Sequence, residues 1–561
     1  MMLVCLYGCR QTPNYVPYQI DKQAIADSAM VVSAHPLATV AGLKAMRKGG
    51  NAVDAAMAVH FVLAVVYPVA GNIGGGGFMV YYDKAEGGVH TLDFREKAPA
   101  AAHRDMYLDS LGNPIEGLSL NGHLAAGVPG SVAGLFQAQS KYGLLKDFRP
   151  LLEDAIRLAS EGFAITQAEA NRLNDFKERF ELYNTFRPVF LKDTPWKEGD
   201  LLVQKDLAWT LQQIQKNGAT GFYEGDVAQK IVEEMKAGNG IISKEDLKNY
   251  TAVWRTPIQT SYKDMEVYSM PPPSSGGVAL AQLLEMIEGY PLKEWGFHDH
   301  KSIHLMAEAE RRAYADRATH LGDSDFYPVP IDSLMHPPYL TNRMADYQPH
   351  RATPSDSVVA GQFIVPKESE QTTHYSIVDL QGNAVSITTT INSGYGSKTV
   401  VNGAGFLLNN EMDDFSIKAG VPNLYGLLGA EANAIEPEKR MLSSMTPTIV
   451  TKNNQLYLVV GTPGGSTIIT SVFQTFLNVA EFEMSMAEAV AAKRFHHQWK
   501  PDFLQHEKGT FPQTTLDSLS AKGHEFRQRG GIGRVDAILV LPDGRLEGGA
   551  DPRGDDHAAG F

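Results

Sequence analysis

From Val31 onward, short apolar runs rich in β-branched and aromatic residues alternate with stretches of helical periodicity. No long repeat and no low-complexity block interrupts the pattern, which predicts a mixed α and β protein. Ala38 to Lys48 and Ala52 to Val66 read as two helices broken at Gly49-Gly50, because paired glycines favour a turn over a helix interior. Phe78-Met79-Val80-Tyr81-Tyr82 reads as a strand entered from Gly74-Gly75-Gly76-Gly77, where missing Cβ atoms signal close backbone packing. Asp147 to Asn217 is helix-rich and polar, and Ser302 to Thr319 is a helix carrying Glu308, Glu310, Arg311 and Arg312; both are expected in an outer layer. Leu456 to Val460 reads as a strand that turns through Gly461-Thr462-Pro463-Gly464-Gly465-Ser466 into a helix from Thr467 to Phe482.

Between Asp346 and Glu370 periodicity disappears, and Pro354, Ser355, Ser357, Pro366, Lys367, Glu368 and Ser369 mark an exposed linker and a boundary. A hairpin follows at once, with Thr373 to Leu380 and Ala384 to Ile391 as strands around Gln381-Gly382-Asn383. A three-residue loop at 381 to 383 sets Asn392 opposite Thr372. Side chains alternate with period two, so any odd loop keeps Thr372, Thr390 and Asn392 on one face, whereas an even loop moves the last two to the other. Taken alone, these polar groups read as a solvated strand face.

Composition narrows the possibilities. The 561 residues, 43% hydrophobic and 20% charged, describe a folded globular chain of three or four units or one composite fold. Fifty Lys and Arg against 64 Asp and Glu give a net charge of −14, which repels phosphate backbones and argues against a nucleic-acid partner. Both cysteines, Cys5 and Cys9, lie at the start, so no disulfide cross-links the body and no cysteine-based zinc cluster can form. The apolar stretch from Ala52 to Val69 contains Asp54 and His60 and reads as a buried helix rather than a bilayer span. Leu6-Tyr7-Gly8-Cys9 resembles a bacterial lipoprotein cleavage motif. Should the true start lie upstream, the chain is expected to be exported and lipid-anchored through Cys9, with residues 1–27 a signal remnant or tether; a disordered N-terminus accounts for the same residues.

Candidate chemistry is concentrated in a few places. Gly464-Gly465, in a strand-to-helix turn, offers adjacent backbone N–H groups to an oxyanion. The nucleotide P-loop, the dinucleotide Gly-x-Gly-x-x-Gly, His-Glu-x-x-His and Gly-x-Ser-x-Gly are all missing, and the adjacent His496 and His497 are expected at the surface. Asn409-Asn410-Glu411-Met412-Asp413-Asp414-Phe415 gathers amides and carboxylates that suit an ammonium group, although a solvent-facing turn with a helix cap explains the same composition. In Asp93-Phe94-Arg95-Glu96 the arginine reads as half of an ion pair.

Together these segments resemble the γ-glutamyltransferase (γ-glutamyltranspeptidase) family of N-terminal nucleophile hydrolases. The likeness rests on Asn51 to Ala56, Gly71 to Phe78, Asp93 to Glu96, Gly127 to Ser131, Pro271 to Gly277, Thr372 to Ser376, Asn409 to Phe415, Met441 to Thr448 and Gly461 to Ser466, in that order. It implies an α+β fold, a four-layer αββα sandwich, made by a precursor that cuts itself between Gln371 and Thr372. The products would be a large subunit, 28–371 after the tether, and a small subunit, 372–561. A Thr hydroxyl is a poor nucleophile, but a free α-amine with a pKa of roughly 8 can serve as its base, which explains the need for the cut. The resemblance further implies that Thr390 orients Thr372, that Arg95, Ser443 and Ser444 hold the α-carboxylate of a γ-glutamyl group, and that Asn392, Glu411 and Asp414 hold its α-ammonium. Gly464 and Gly465 would form the oxyanion hole, and Pro422 to Arg440 a lid with Tyr425 as its covering aromatic. No cofactor or metal is called for. The implied partners are glutathione and other γ-glutamyl donors, with water, amino acids or dipeptides as acceptors, in the periplasm or cell envelope. Two rivals stay open: a cephalosporin or glutaryl acylase of the same superfamily, and a non-catalytic envelope protein that binds γ-glutamyl peptides.

Overall fold

The computed structural model describes residues 18–359, 372–417 and 431–561. Cys5, Cys9, Gln371 and Tyr425 lie outside the described residues, as does much of the expected linker and lid. Two seven-stranded antiparallel sheets form the centre. In the first, the strands run across the sheet as His557–Gly560, Met30–Ser33, Thr372–Val378, Ala384–Thr390, Gly76–Asp83, Gly88–Phe94 and Val253–Arg255. In the second the order is Gln23–Ala26, Leu546–Ala550, Asp536–Val540, Gln455–Gly461, Thr448–Lys452, Met265–Ser269 and Ile258–Tyr262. Both sheets therefore interleave strands from before and after the described gap that precedes Thr372. A chain cut there stays held together by sheet hydrogen bonds.

Alternation along the strands builds the layers. Met30, Val32, Val80, Tyr82 and Val378 of the first sheet meet Ile449, Val459, Ile538 and Leu546 of the second in one core. The opposite face of the first sheet, with Val31, Met79, Tyr375 and Ile387, packs under the helices Pro36–Arg47 and Ala52–Val66. The opposite face of the second, with Val267, Val450, Leu458 and Val460, packs under Gly276–Ile287, His300–His320 and Thr467–Ala480. The result is the expected αββα order. Gln23–Ala26, placed in the tether by its polar sequence, is instead an edge strand paired with Leu546–Ala550.

The hairpin differs from expectation by one residue in its loop. Thr372 pairs with Thr390, not Asn392, and the loop is Leu380-Gln381-Gly382. A three-residue loop places its left-handed residue last, and Gly382, at φ 83°, takes that place. The odd loop length keeps Thr372 and Thr390 on one face, as parity requires. Asp379 fastens the turn, accepting the backbone N–H of Gln381 and Asn383, each at 2.9 Å, while its other oxygen accepts Ala52 N–H at 2.9 Å. That last bond ties the hairpin to the first turn of a helix whose every residue is buried.

The long charged helix lies in the outer layer, as expected, but keeps its charges inside, and one expectation of surface exposure is corrected. The helix His300–His320 buries Glu308, Glu310, Arg311 and Arg312. Glu308 accepts from Arg312 at 2.7 Å and from Thr353 N–H at 3.0 Å, and Arg311 reaches Ser355 and Asp502. These charges face each other and the segment leading toward the site, so the helix needs no solvent. His496 and His497 are likewise buried: His496 meets Thr470 Oγ1 at 2.8 Å and Gln498 Oε1 at 2.9 Å, and His497 N–H donates to Glu310 at 2.8 Å. Among the described residues no helix is long and apolar enough to cross a membrane.

Buried donors stripped of their acceptor cost about 1 to 3 kcal/mol each. Asp379→Ala is therefore expected to lower the unfolding free energy by about 2 kcal/mol or more, read as an earlier midpoint in urea. An unchanged midpoint would show that Asp379 does not secure the hairpin.

Candidate active site

Thr372 opens a central strand and is buried, with Thr390 directly opposite and Gly76 beyond it. Thr390 Oγ1 accepts the backbone N–H of Asn392 at 2.7 Å. Asn392 sits just past the strand at φ 68°, a left-handed conformation that asparagine tolerates, and its side chain donates to Asn410 O at 2.9 Å. The glycines at 74 to 77 are needed for the approach of this segment: a Cβ on Gly75 would lie 2.0 Å from Thr390 O.

The Asn409 to Phe415 segment is no solvent-facing turn. Its 3₁₀ turn Glu411–Asp414 is buried, and its amides stitch chain to chain rather than cap a helix. Asn409 donates to Gly74 O at 2.9 Å and Gly127 O at 2.8 Å, and its Oδ1 accepts Gly127 N–H at 2.8 Å. Arg95, at the end of the strand Gly88–Phe94, donates one guanidinium nitrogen to Glu411 and another to Asp414. The second also reaches Leu442 O at 3.2 Å, which brings Arg95 to the backbone next to Ser443 and Ser444. Arg95 is indeed half of an ion pair, but with two residues that the family resemblance would place around the same ligand.

Ser443 Oγ accepts Met445 N–H at 3.1 Å, and its carbonyl accepts Ser275 N–H at 2.7 Å. Ser444 Oγ accepts from Arg317 at 3.0 Å, and Arg317 Nε also holds Ser275 Oγ at 2.8 Å. Arg317 braces the serine pair from the long helix. Sequence reasoning missed it, since one arginine in a charge-rich helix carries no local signal.

Gly464 and Gly465 have φ of 140° and 57°. A Cβ on Gly464 would lie 2.6 Å from Thr467 Oγ1, so the turn into the helix Thr467–Ala480 needs a bare backbone there. Among the described residues neither N–H meets an acceptor, as a site for an anionic oxygen requires. Gly464 and Thr372 line one cavity of about 170 Å³.

The ion pair has an excess of acid. Burial pushes Glu96 up to about 7 against the pull of Arg95, and burial followed by the charge of Glu96 raises Glu411 well above the usual carboxylate range. Burial disfavours the Arg95 cation, yet Glu411, Asp414 and Glu96 outweigh it and raise its pKa. Among the described residues Glu411 Oε2 has no hydrogen-bond donor. One guanidinium facing this acidic group is an arrangement that can take in a ligand carrying an ammonium and a carboxylate together. A second cluster, His304, Glu308 and His524, has donor atoms close enough for a metal ion. Its carboxylate is already engaged by Arg312 and Thr353, which makes it a poor ligand set.

A carboxyl whose pKa is raised by folding holds a proton that the unfolded chain releases. Its contribution to stability is complete below pH 4.5, the unfolded value, and is lost as pH rises through about 7 for Glu96. Arg95→Gln removes the guanidinium that pairs with both Glu411 and Asp414. A broken buried pair costs about 3 to 5 kcal/mol when the remaining charge persists. The loss for Arg95→Gln should therefore be larger at pH 8 than at pH 5, measured by urea denaturation at both. A loss independent of pH would mean that the carboxyl groups do not titrate with Arg95.

Comparison with known proteins agrees with this geometry. The model of the gamma-glutamyltranspeptidase family matches residues 38–561. The glutathione hydrolase proenzyme of Escherichia coli (strain K12) is 47% identical over 539 residues, covering 96% of this chain and 92% of its own. Among solved structures, Helicobacter pylori gamma-glutamyltranspeptidase is 47% identical with a TM-score of 0.58, covering 62% of this chain and 97% of that one. The cephalosporin acylase of Bacillus halodurans is 25% identical with a TM-score of 0.81, covering 99% of each chain. The family model spans the Thr372 strand, the paired glycines and the Arg95 ion pair alike, and the chain belongs to the gamma-glutamyltranspeptidase family.

Proposed function

We propose that this protein is a self-processing γ-glutamyltransferase and glutathione hydrolase, cut between Gln371 and Thr372. One observation carries the proposal: the residue that the cut would free, Thr372, lines a cavity with Gly464 and heads a strand whose partner, Thr390, leads through Asn392 to the Arg95, Glu411 and Asp414 pocket.

Once free, the α-amine of Thr372, with a pKa of roughly 8, takes the proton from its own Oγ as that oxygen attacks the γ-carbonyl carbon of the donor. The carbonyl oxygen becomes an anion facing the N–H groups of Gly464 and Gly465. Collapse breaks the C–N bond, the departing amine takes the proton, and the γ-glutamyl group remains as an ester on Thr372. Water, an amino acid or a dipeptide then attacks that ester, and the proton returns to Thr372 Oγ. Thr390 orients the nucleophile.

The donor's α-carbon end binds by exchange. Its carboxylate takes the forked guanidinium of Arg95 with help from Ser443 and Ser444, while its ammonium replaces that guanidinium at Glu411 and Asp414 beside Asn392. A zwitterion brings both partners at once, so neither half of the buried pair is left alone. A glutaryl group lacks the ammonium, and this disfavours the acylase reading. Tyr425 would cover the bound donor. The motif at Leu6 to Cys9 supports a place in the cell envelope.

Thr372→Ala is expected to abolish both cleavage and turnover. Mass spectrometry of purified protein incubated with a chromogenic γ-glutamyl anilide reads cut site and activity together, and cleavage elsewhere or full activity in an uncut chain would refute the assignment. Arg95→Lys keeps the charge but not the fork, and losing one charge-assisted bond costs about 1.5 to 3 kcal/mol. Its kcat/KM for a γ-glutamyl donor should fall roughly tenfold or more, since 1.4 kcal/mol is a factor of ten. Unchanged kinetics would remove Arg95 from the site.

A further inference from the structure

The two N–H groups assigned to the oxyanion belong to residues without side chains, and φ of 140° at Gly464 and 57° at Gly465 lies where the backbone of glycine is freest. Their aim has to be imposed from the flanks. Before the turn, Thr462 Oγ1 donates to Pro463 O at 2.7 Å and accepts Arg534 N–H at 2.8 Å. After it, Gly464 O accepts Thr467 N–H at 3.1 Å and Thr467 Oγ1 at 2.7 Å. A peptide unit is planar, so fixing Gly464 O also fixes the Gly465 N–H at the other end of the same plane.

Ser466 carries the outer constraint. It stands at the start of the helix Thr467–Ala480, where a serine hydroxyl ordinarily caps the free N–H groups, yet its side chain makes no such bond. Instead Ser466 Oγ donates to Gln498 Oε1 at 2.9 Å, and Ser466 O accepts the hydroxyl of Tyr314 from the helix His300–His320. The Tyr314 bond fixes the peptide plane whose other end is the Thr467 N–H, the group bonded to Gly464 O. Gln498 is itself held. Its amide nitrogen donates to Lys500 O at 3.2 Å, so Oε1 faces Ser466 and accepts a second bond from His496 Nε2 at 2.9 Å. With its proton on Nε2, His496 accepts Thr470 Oγ1 at Nδ1, at 2.8 Å, which returns the chain of bonds to the helix that follows the turn. Tyr314, His496 and Gln498 are all buried, so a bond lost here is not made good by bulk solvent.

We infer that Tyr314 and Gln498 are positioning residues that aim the oxyanion turn. The inference rests on the proposed function, in which the γ-carbonyl oxygen becomes an anion at Gly464 and Gly465. Both residues act through Ser466 rather than on the substrate. Such a brace matters most while the oxygen carries charge, because a neutral carbonyl gains less from two well-aimed N–H groups than an oxyanion does. Acylation and deacylation both pass through that anion, so a loosened brace lowers kcat and leaves KM in place.

The test uses Tyr314→Phe and Gln498→Leu, counting only protein cut before Thr372. With a γ-glutamyl anilide, kcat is expected to fall about tenfold in each at an unmoved KM. Two inhibitors separate aim from general damage. The γ-boronic acid analogue of glutamate accepts the lone pair of Thr372 Oγ onto boron while the α-amine takes the proton, giving a tetrahedral anion at the turn; glutamate itself forms no such bond. The ratio of the two inhibition constants, boronate over glutamate, is expected to rise about tenfold in each variant. An unmoved ratio in either variant removes that residue from the role. Should neither variant be cut, Ser466→Ala decides, since it deletes only the hydroxyl that Gln498 holds: the same rise supports the brace, and an unmoved ratio or a third uncut chain overturns it. If the cut, unmutated protein neither turns over the anilide nor binds the boronate, the transferase reading fails and the brace with it. If it does both while the ratio stays fixed in the variants, the brace alone fails.

Discussion

The register of one hairpin is the constraint on which the site depends. With Thr372 opposite Thr390, the proposed nucleophile stands at the end of a central strand that pairs with its own hairpin partner on one side and with Met30–Ser33, from far earlier in the chain, on the other. A slip by one residue would turn Thr372 to the other face of the sheet. Asp379 and Gly382 set that register locally, and the bond from Ala52 N–H anchors it to the buried helix beneath. A Thr proposed to act as both nucleophile and base would have no second side chain to correct its position, so rigidity would have to come from the sheet. The interleaved strands also keep the fold whole when a peptide bond next to the sheet is broken.

Much of this was legible from local pattern. The layered α and β organisation followed from alternating periods, the turn at Gly464-Gly465 from its glycines, and the shared face of Thr372 and Thr390 from parity. Most of what local pattern missed is pairing between residues far apart in sequence. Arg95 and Glu411 are 316 positions apart, so composition alone described the Asn409 to Phe415 segment as a solvent-facing turn. The histidines 496 and 497 looked exposed for the same reason, because partners such as Glu310 lie elsewhere in the chain. The hairpin loop was misplaced by one residue because the left-handed requirement of its last position was not applied to Gly382.

Buried ion pairs seldom add net stability over apolar residues of similar shape, because desolvation offsets the attraction. The pocket around Arg95 makes sense as a cost accepted for recognition. Its guanidinium pairs with Glu411 and Asp414, and under the proposed function a zwitterion replaces both halves of that pair without stranding either. Exchange of this kind rewards a ligand carrying both charges at one carbon and penalises one that brings only a carboxylate, since the acidic side then keeps its charge unpaired or must take up a proton.

The most direct test of this account is the selectivity between γ-glutamyl and glutaryl anilides, two donors that share an acyl chain and differ by the α-amine. Charge exchange at Arg95, Glu411 and Asp414 predicts a strong preference for the γ-glutamyl donor in kcat/KM, and a smaller preference in Asp414→Asn, with the loss falling on the γ-glutamyl compound. Equal rates on the two donors in the unmutated enzyme would contradict it, and would assign the Arg95 pocket to an acyl group without an ammonium.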